Sequence, residues 1–249
     1  MPRGRGGDWA VIISYSKRFV VFAPWKCASS TLHLRLKDYN ESPYSRFFHF
    51  SDHLNRVVHQ HLTCADFLGL PESRLGLFAG SFVRNPYDRA YSGFLQLQGD
   101  MRQLDFPYPA EWIRDLVSTQ LADNFAQLAR ADFDFDRWLA SVTEDQVLEA
   151  GRNTSFPLHP AHYWTHVGAE QYAAFVGRVE RFEQDVDRFC AAVGIAEPDR
   201  VNDNVKSSVP LGDGPDRAYR YASRMSRRSV DRINRLFARD FELFGYETL

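Results

Sequence analysis

Lys26 stands where a side chain can meet an anion. The 249-residue chain holds 30 Lys+Arg, and only Lys17, Lys26, Lys37 and Lys206 of these are lysines. Lys26 follows the apolar run Phe19-Val20-Val21-Phe22-Ala23 and the dipeptide Pro24-Trp25, and it precedes Cys27, Ala28, Ser29, Ser30 and Thr31. Leu32, Leu36 and Tyr39 then recur at helical spacing. A strand that turns through such a loop into a helix gathers backbone N–H groups, a helix dipole, hydroxyls and one ammonium around a single point. That set suits a phosphate or a sulfate, although a capped helix start beside a solvated lysine would read the same way. Three known phosphate loops do not fit. No glycine lies between Ala23 and Leu34, which excludes G-x-x-x-x-G-K-[ST] and G-x-G-x-x-G, and a cysteine-phosphatase loop would need Arg where His33 stands.

A second strand-to-helix junction begins at Leu75. Leu77 to Val83 read as a strand ending in Arg84-Asn85-Pro86, where Asn85 suits an N-cap and Pro86 the first helical position. Tyr87, Tyr91, Phe94 and Leu95 continue at helical spacing, with Ser92 among them. A third group is the histidine cluster His159, His162 and His166. Pro160 argues against a regular helix aligning the three as metal ligands and no cysteine joins them, so no metal site is expected. Asp52–Leu68 reads as helical, and His49, His53, His59 and His61 read as surface residues of a helical region.

Taken together, four segments resemble a known family. Pro24-Trp25-Lys26-Cys27-Ala28-Ser29-Ser30-Thr31 is similar to the 5′-phosphosulfate loop of sulfotransferases, Pro-x-Lys-x-(Ala/Gly)-x-(Ser/Thr)-(Ser/Thr). Phe82-Val83-Arg84-Asn85-Pro86-Tyr87-Asp88-Arg89 with Ser92 resembles the family's 3′-phosphate segment. Phe175-Val176-Gly177-Arg178-Val179-Glu180 resembles its "FxGRxE" strand, and Asp240-Phe241-Glu242-Leu243-Phe244-Gly245-Tyr246 its terminal "DFxxFGY". The order agrees too, from about residue 10 to 247, and the resemblance is to carbohydrate-type sulfotransferases that use 3′-phosphoadenylyl sulfate (PAPS).

The resemblance implies a fold related to P-loop kinases and transfer of a sulfuryl group from PAPS to a hydroxyl of a carbohydrate or other hydroxylated metabolite, leaving adenosine 3′,5′-bisphosphate (PAP). It implies that Lys26 neutralises the leaving oxygen, and that Cys27, Ala28, Ser29, Ser30 and Thr31 line the phosphosulfate. Arg84 and Ser92 would hold the 3′-phosphate, and Lys206, near Arg217 and Arg220, would lie in a segment closing over the nucleotide. Relatives place a histidine base shortly before the "GRxE" strand. His159 is favoured here, with His162 second and His166 third, and the family's Pro-Gln neighbours are not reproduced.

The elements that must position these groups alternate strand and helix. Alternation points to an α/β fold, a central parallel sheet flanked by helices on both faces. No linker divides the chain, so a single domain over 1–249 is expected, with a polar helical insert at about 109–137 shaping the acceptor pocket. Phe175 belongs to a strand over Tyr172–Gly177, Val201–Pro215 reads as a loop, and Val230, Ile233, Phe237 and Phe241 lie on one last helix. A formal net charge of −2 argues against a nucleic-acid partner, which needs a surplus or dense stripe of cations. Three cysteines without recurring spacing suit a reducing compartment, and no apolar run approaches a membrane span, so a cytoplasmic enzyme is expected. An ATP-dependent kinase would share the architecture but normally needs a glycine-rich loop. A non-catalytic anion-binding module is the remaining alternative.

Overall fold

The computed structural model describes residues 11–44, 47–99, 108–149, 154–196 and 219–249. The strands are β1 (Ile12–Ser14), β2 (Phe19–Phe22), β3 (His49–Ser51), β4 (Arg56–Val58), β5 (Phe78–Val83), β6 (His166–Val167), β7 (Glu170–Gln171) and β8 (Phe175–Arg178). The helices are α1 (Ser29–Arg35), α2 (Cys64–Leu68), α3 (Pro86–Gly99), α4 (Glu111–Arg130) and α5 (Phe135–Ser141). They continue with α6 (Glu144–Leu148), α7 (Phe182–Val193), α8 (Arg227–Leu236) and α9 (Ala238–Phe244).

The fold is α/β, with helices around a central sheet of order β1-β2-β5-β8. β2, β5 and β8 run parallel, with Phe22 opposite Ser81 and Val83 opposite Arg178. β1 departs from the expected parallel sheet. Ser16-Lys17-Arg18 is too short for a crossover, so the chain reverses and β1 pairs antiparallel with β2. Both faces are covered, which accounts for the unbroken apolar runs. Ile12, Phe19 and Val21 pack with α1 and α7 through Leu32, Leu36, Val186 and Phe189. Ile13, Val20 and Phe22 face Leu62, Phe67 and Trp164 on the other side. Gly80 permits the close approach of α7, since a Cβ there would sit 2.6 Å from the Phe189 ring.

Two further differences have local causes. The helix expected over Asp52–Leu68 is a β3–β4 hairpin turning through Asn55 (φ 49°), followed by the short α2. β-Branched Val57 and Val58 favour the strand, and helix starts only after Thr63, whose hydroxyl and Asp66 form a capping box. The last helix is two, α8 and α9, meeting at Phe237 (φ −118°, ψ 24°). The expected loop at Val201–Pro215, Lys206 and Arg217 lie outside the described residues. Helix α4 lies within the expected insert and packs Ile113, Val117 and Leu121 on Phe48 and Val57 of the hairpin segment. Among the described residues no helix is long and apolar enough to cross a membrane.

Candidate active site

The parallel register brings the C-terminal ends of β2 and β5 side by side, where open α/β sheets bind ligands. β2 runs into Pro24, and Lys26 and Ala28 both take left-handed backbone (φ 63° and 60°) on either side of Cys27. Such backbone costs a non-glycine residue on the order of 1–3 kcal/mol, and it turns neighbouring N–H groups into an anion-binding concavity. α1 starts at Ser29, so the expected hydroxyl cap is absent and Ala28 is the N-cap. Ser29 and Ser30 are half-exposed in the first turn, whose N–H groups have no intrahelical acceptor, and Thr31 is buried. Cys27 is fully buried, its N–H donates to Pro24 O at 3.2 Å, and burial pushes its thiol up to about 12. It shapes the loop rather than offering a thiolate.

The second junction meets the first directly. Arg84 Nη1 donates to Lys26 O at 3.4 Å, and Lys26 Nζ reaches across to Gln96 Oε1 on α3 at 3.0 Å. Asn85 caps α3 as expected, its Oδ1 accepting Tyr87 N–H at 3.0 Å. Glu180 accepts Asn85 N–H at 2.7 Å and the Tyr246 hydroxyl at 2.9 Å, so the segment after β8 braces the helix start. Ser92 lies one turn beyond Asp88 on the same face of α3. Burial raises Asp88 to about 6 against the lowering effect of Arg84, and its carboxylate accepts the N–H groups of Arg220 and Tyr221. Arg220 thus borders the Arg84 junction.

The histidines are arranged differently from expectation. A narrow cleft is lined by Trp25, Arg56, His59, His61, Asp66, Thr154, His159 and Trp164, among others. His59 and His61, expected on a helical surface, are buried beyond the end of β4. His61 Nδ1 donates to Ala23 O at 2.5 Å, which leaves its Nε2 as the lone-pair nitrogen, 3.3 Å from Gln60 Nε2. Its ring stacks on Trp25 at 4.0 Å. Burial, then His59, His33 and Lys26, hold the His61 ring well below the usual histidine range, which sets it within electrostatic reach of Lys26.

His159 also lines the cleft, its Nδ1 bonded to Val147 O at 2.8 Å. His162 Nδ1 donates to Asp240 Oδ1 at 2.7 Å. Asp240 further accepts Ala161 N–H (2.7 Å), His162 N–H (3.0 Å) and Arg89 Nη2 (3.2 Å), while Arg89 Nη1 donates to His159 O at 2.6 Å. Arg89 and Asp240 are buried, so two of the sequence segments act as scaffolding for the third. His166 sits on β6 with its Nδ1 against Thr165 Oγ1, outside the cleft lining. The structure thus joins Arg84 to Lys26 directly, and places His159 in a cleft with His59, His61 and Trp25, the residue before Lys26. Among the described residues no group of three or more His, Cys, Asp or Glu gathers as a metal site.

The model of the sulfotransferase family matches residues 14–247. No curated protein and no solved structure matches the chain.

Proposed function

Because the chain belongs to the sulfotransferase family and is a transferase of sulfuryl groups, we propose that it takes that group from PAPS and delivers it to a hydroxyl of a carbohydrate or other hydroxylated metabolite. The observation that carries this reading is the contact between Arg84 and the backbone of Lys26. It makes one continuous cationic floor of the right kind for a nucleotide with phosphates at both the 5′ and 3′ positions.

In this reading the phosphosulfate lies in the concavity from Lys26 to Thr31, and the 3′-phosphate lies against Arg84 and Ser92. The acceptor oxygen attacks sulfur in line with the bridging oxygen. The bridging S–O bond breaks, its electron pair stays on the 5′-phosphate of PAP, and Lys26 exchanges Gln96 for that oxygen. The proton goes to a histidine. His61 and His159 are each fixed through Nδ1 by a backbone carbonyl, and we take His61 as the base because its ring also feels the Lys26 charge and its Nε2 can exchange the Gln60 amide for the acceptor hydroxyl. His159 and His162 then form the wall held by Asp240.

The test is calorimetric titration with PAP, 5′-AMP and ATP·Mg²⁺, repeated on Arg84→Ala. PAP binding that needs Arg84 but no metal supports the donor assignment. Preference for ATP·Mg²⁺ would overturn it in favour of a kinase, and equal losses of PAP and AMP in Arg84→Ala would sink the 3′-phosphate role.

A further inference from the structure

Within the same cleft, His59 and His61 hold opposite tautomers. The backbone N–H of His61 donates to His59 Nδ1 at 3.2 Å, so the proton of the neutral His59 ring is on Nε2. That Nε2 is buried and has no hydrogen-bond partner, in a residue only 9% exposed. The Thr154 carbonyl is near enough to favour charge on the ring but makes no hydrogen bond to it. Trp25 at 5.1 Å and Phe48 at 4.9 Å pack against the ring and hold its orientation. Other polar groups of the cleft are already engaged. Asp66 takes Arg56, Thr63 N–H and the Thr63 hydroxyl, Thr154 Oγ1 bonds Gln120, and Trp164 Nε1 donates to His61 O. A buried N–H left unpaired is costly, and a ligand oxygen would relieve that cost.

We infer that His59 is an acceptor-binding residue whose Nε2–H donates to a lone-pair oxygen of the sulfuryl acceptor, beside the hydroxyl that reacts. The inference rests on the cleft being the acceptor side of a PAPS-dependent enzyme. It divides the pair: His61 exchanges a side-chain amide at Nε2 for the proton of the acceptor hydroxyl, whereas His59 keeps its Nδ1 on the backbone N–H of His61 and donates through Nε2. Burial lowers the His59 pKa to about 4, which keeps the ring in this donor form near neutral pH.

Asparagine and glutamine separate the two faces of the ring. His59→Asn keeps an acceptor near Nδ1 for the His61 N–H but removes the donor, and His59→Gln returns an N–H near Nε2. The probes are methyl β-D-glucopyranoside, which offers neutral oxygens, and its 6-carboxylate, the uronoside, each titrated into PAP-saturated protein. On whichever glycoside binds, His59→Asn should weaken affinity about tenfold and His59→Gln should stay within about threefold of wild type, with PAP affinity constant within about twofold. Asparagine binding as well as wild type, glutamine failing to restore affinity, or PAP-loaded wild type binding neither glycoside overturns the His59 assignment. Failure of wild type to bind PAP overturns the donor reading instead.

Discussion

The two walls of the site are built from opposite materials. On the side proposed to hold the donor, a short stretch of chain presents mainly backbone and fixed charge: two left-handed residues, the first turn of α1, Lys26 and Arg84. On the side proposed to hold the acceptor, neutral rings dominate, with His59, His61 and His159 buried among Trp25 and Trp164, and with the Arg56 guanidinium paired to Asp66. PAPS, with two negative charges on its phosphosulfate and one to two on its 3′-phosphate, would demand cations that never titrate near neutrality, whereas proton removal demands a group that is uncharged before it acts. Desolvation serves the second wall and would penalise the first.

Breaking the donor wall should cost most. Lys26→Ala should lower kcat/KM by about 10³, the scale of losing one charge-stabilising donor, in a sulfation assay with PAPS and any accepted hydroxyl. His61→Ala should cost at least about 10² with PAP affinity retained, and more than His159→Ala does. If the order of the two histidines reverses, proton transfer belongs to the wall held by Asp240. Because the His61 pKa is lowered, the acid limb of kcat/KM should lie below pH 6.5. Arg84→Ala should weaken PAP about tenfold to a hundredfold and leave 5′-AMP nearly unchanged.

The acceptor wall also has a signature in stability. The folded pKa of His59 is about 4, below the unfolded value, so between pH 6.5 and 4 the unfolded chain takes up a proton that the folded one refuses. Stability falls as pH drops through that window, by at most about 3 kcal/mol from this group. Asp88, raised to about 6, acts in the opposite sense as pH falls from about 6 towards 4. Urea unfolding at pH 7.5 and 5 should therefore show a smaller acid loss in His59→Asn than in wild type. The smallest effect expected is on the donor loop, where Ala28→Gly relieves left-handed strain and should raise stability by up to about 1 kcal/mol. A loss of stability there would mean that Ala28 is not strained.

Legibility followed how local each signal is. The strand-to-helix turns at Lys26 and Arg84 were readable because each lies within about ten consecutive residues and because apolar runs, Asn85 and Pro86 mark them. Asp240 and Arg89 were visible as motif residues, but their shared grip on the backbone of residues 159–162 joins positions 151 apart and had no local mark. His59 and His61 were misread because the polar spacing of Asp52–Leu68 suggested a helix. The available signal was β-branched Val57-Val58 running into His59-x-His61, a strand end that points alternate side chains to one side.

By itself, then, the amino-acid sequence determined the α/β alternation, the strand-to-helix turns at Lys26 and Arg84 and the family, since strand and helix periodicity, turn residues and short motifs act over a few neighbours. Only the tertiary structure decided that β1 runs antiparallel, that Arg84 touches the Lys26 backbone, and which nitrogen of His59 and of His61 carries the proton. Those outcomes depend on which carbonyl or N–H from a distant segment packs against the group, and on the loss of water around it, neither of which is encoded within a short window of chain.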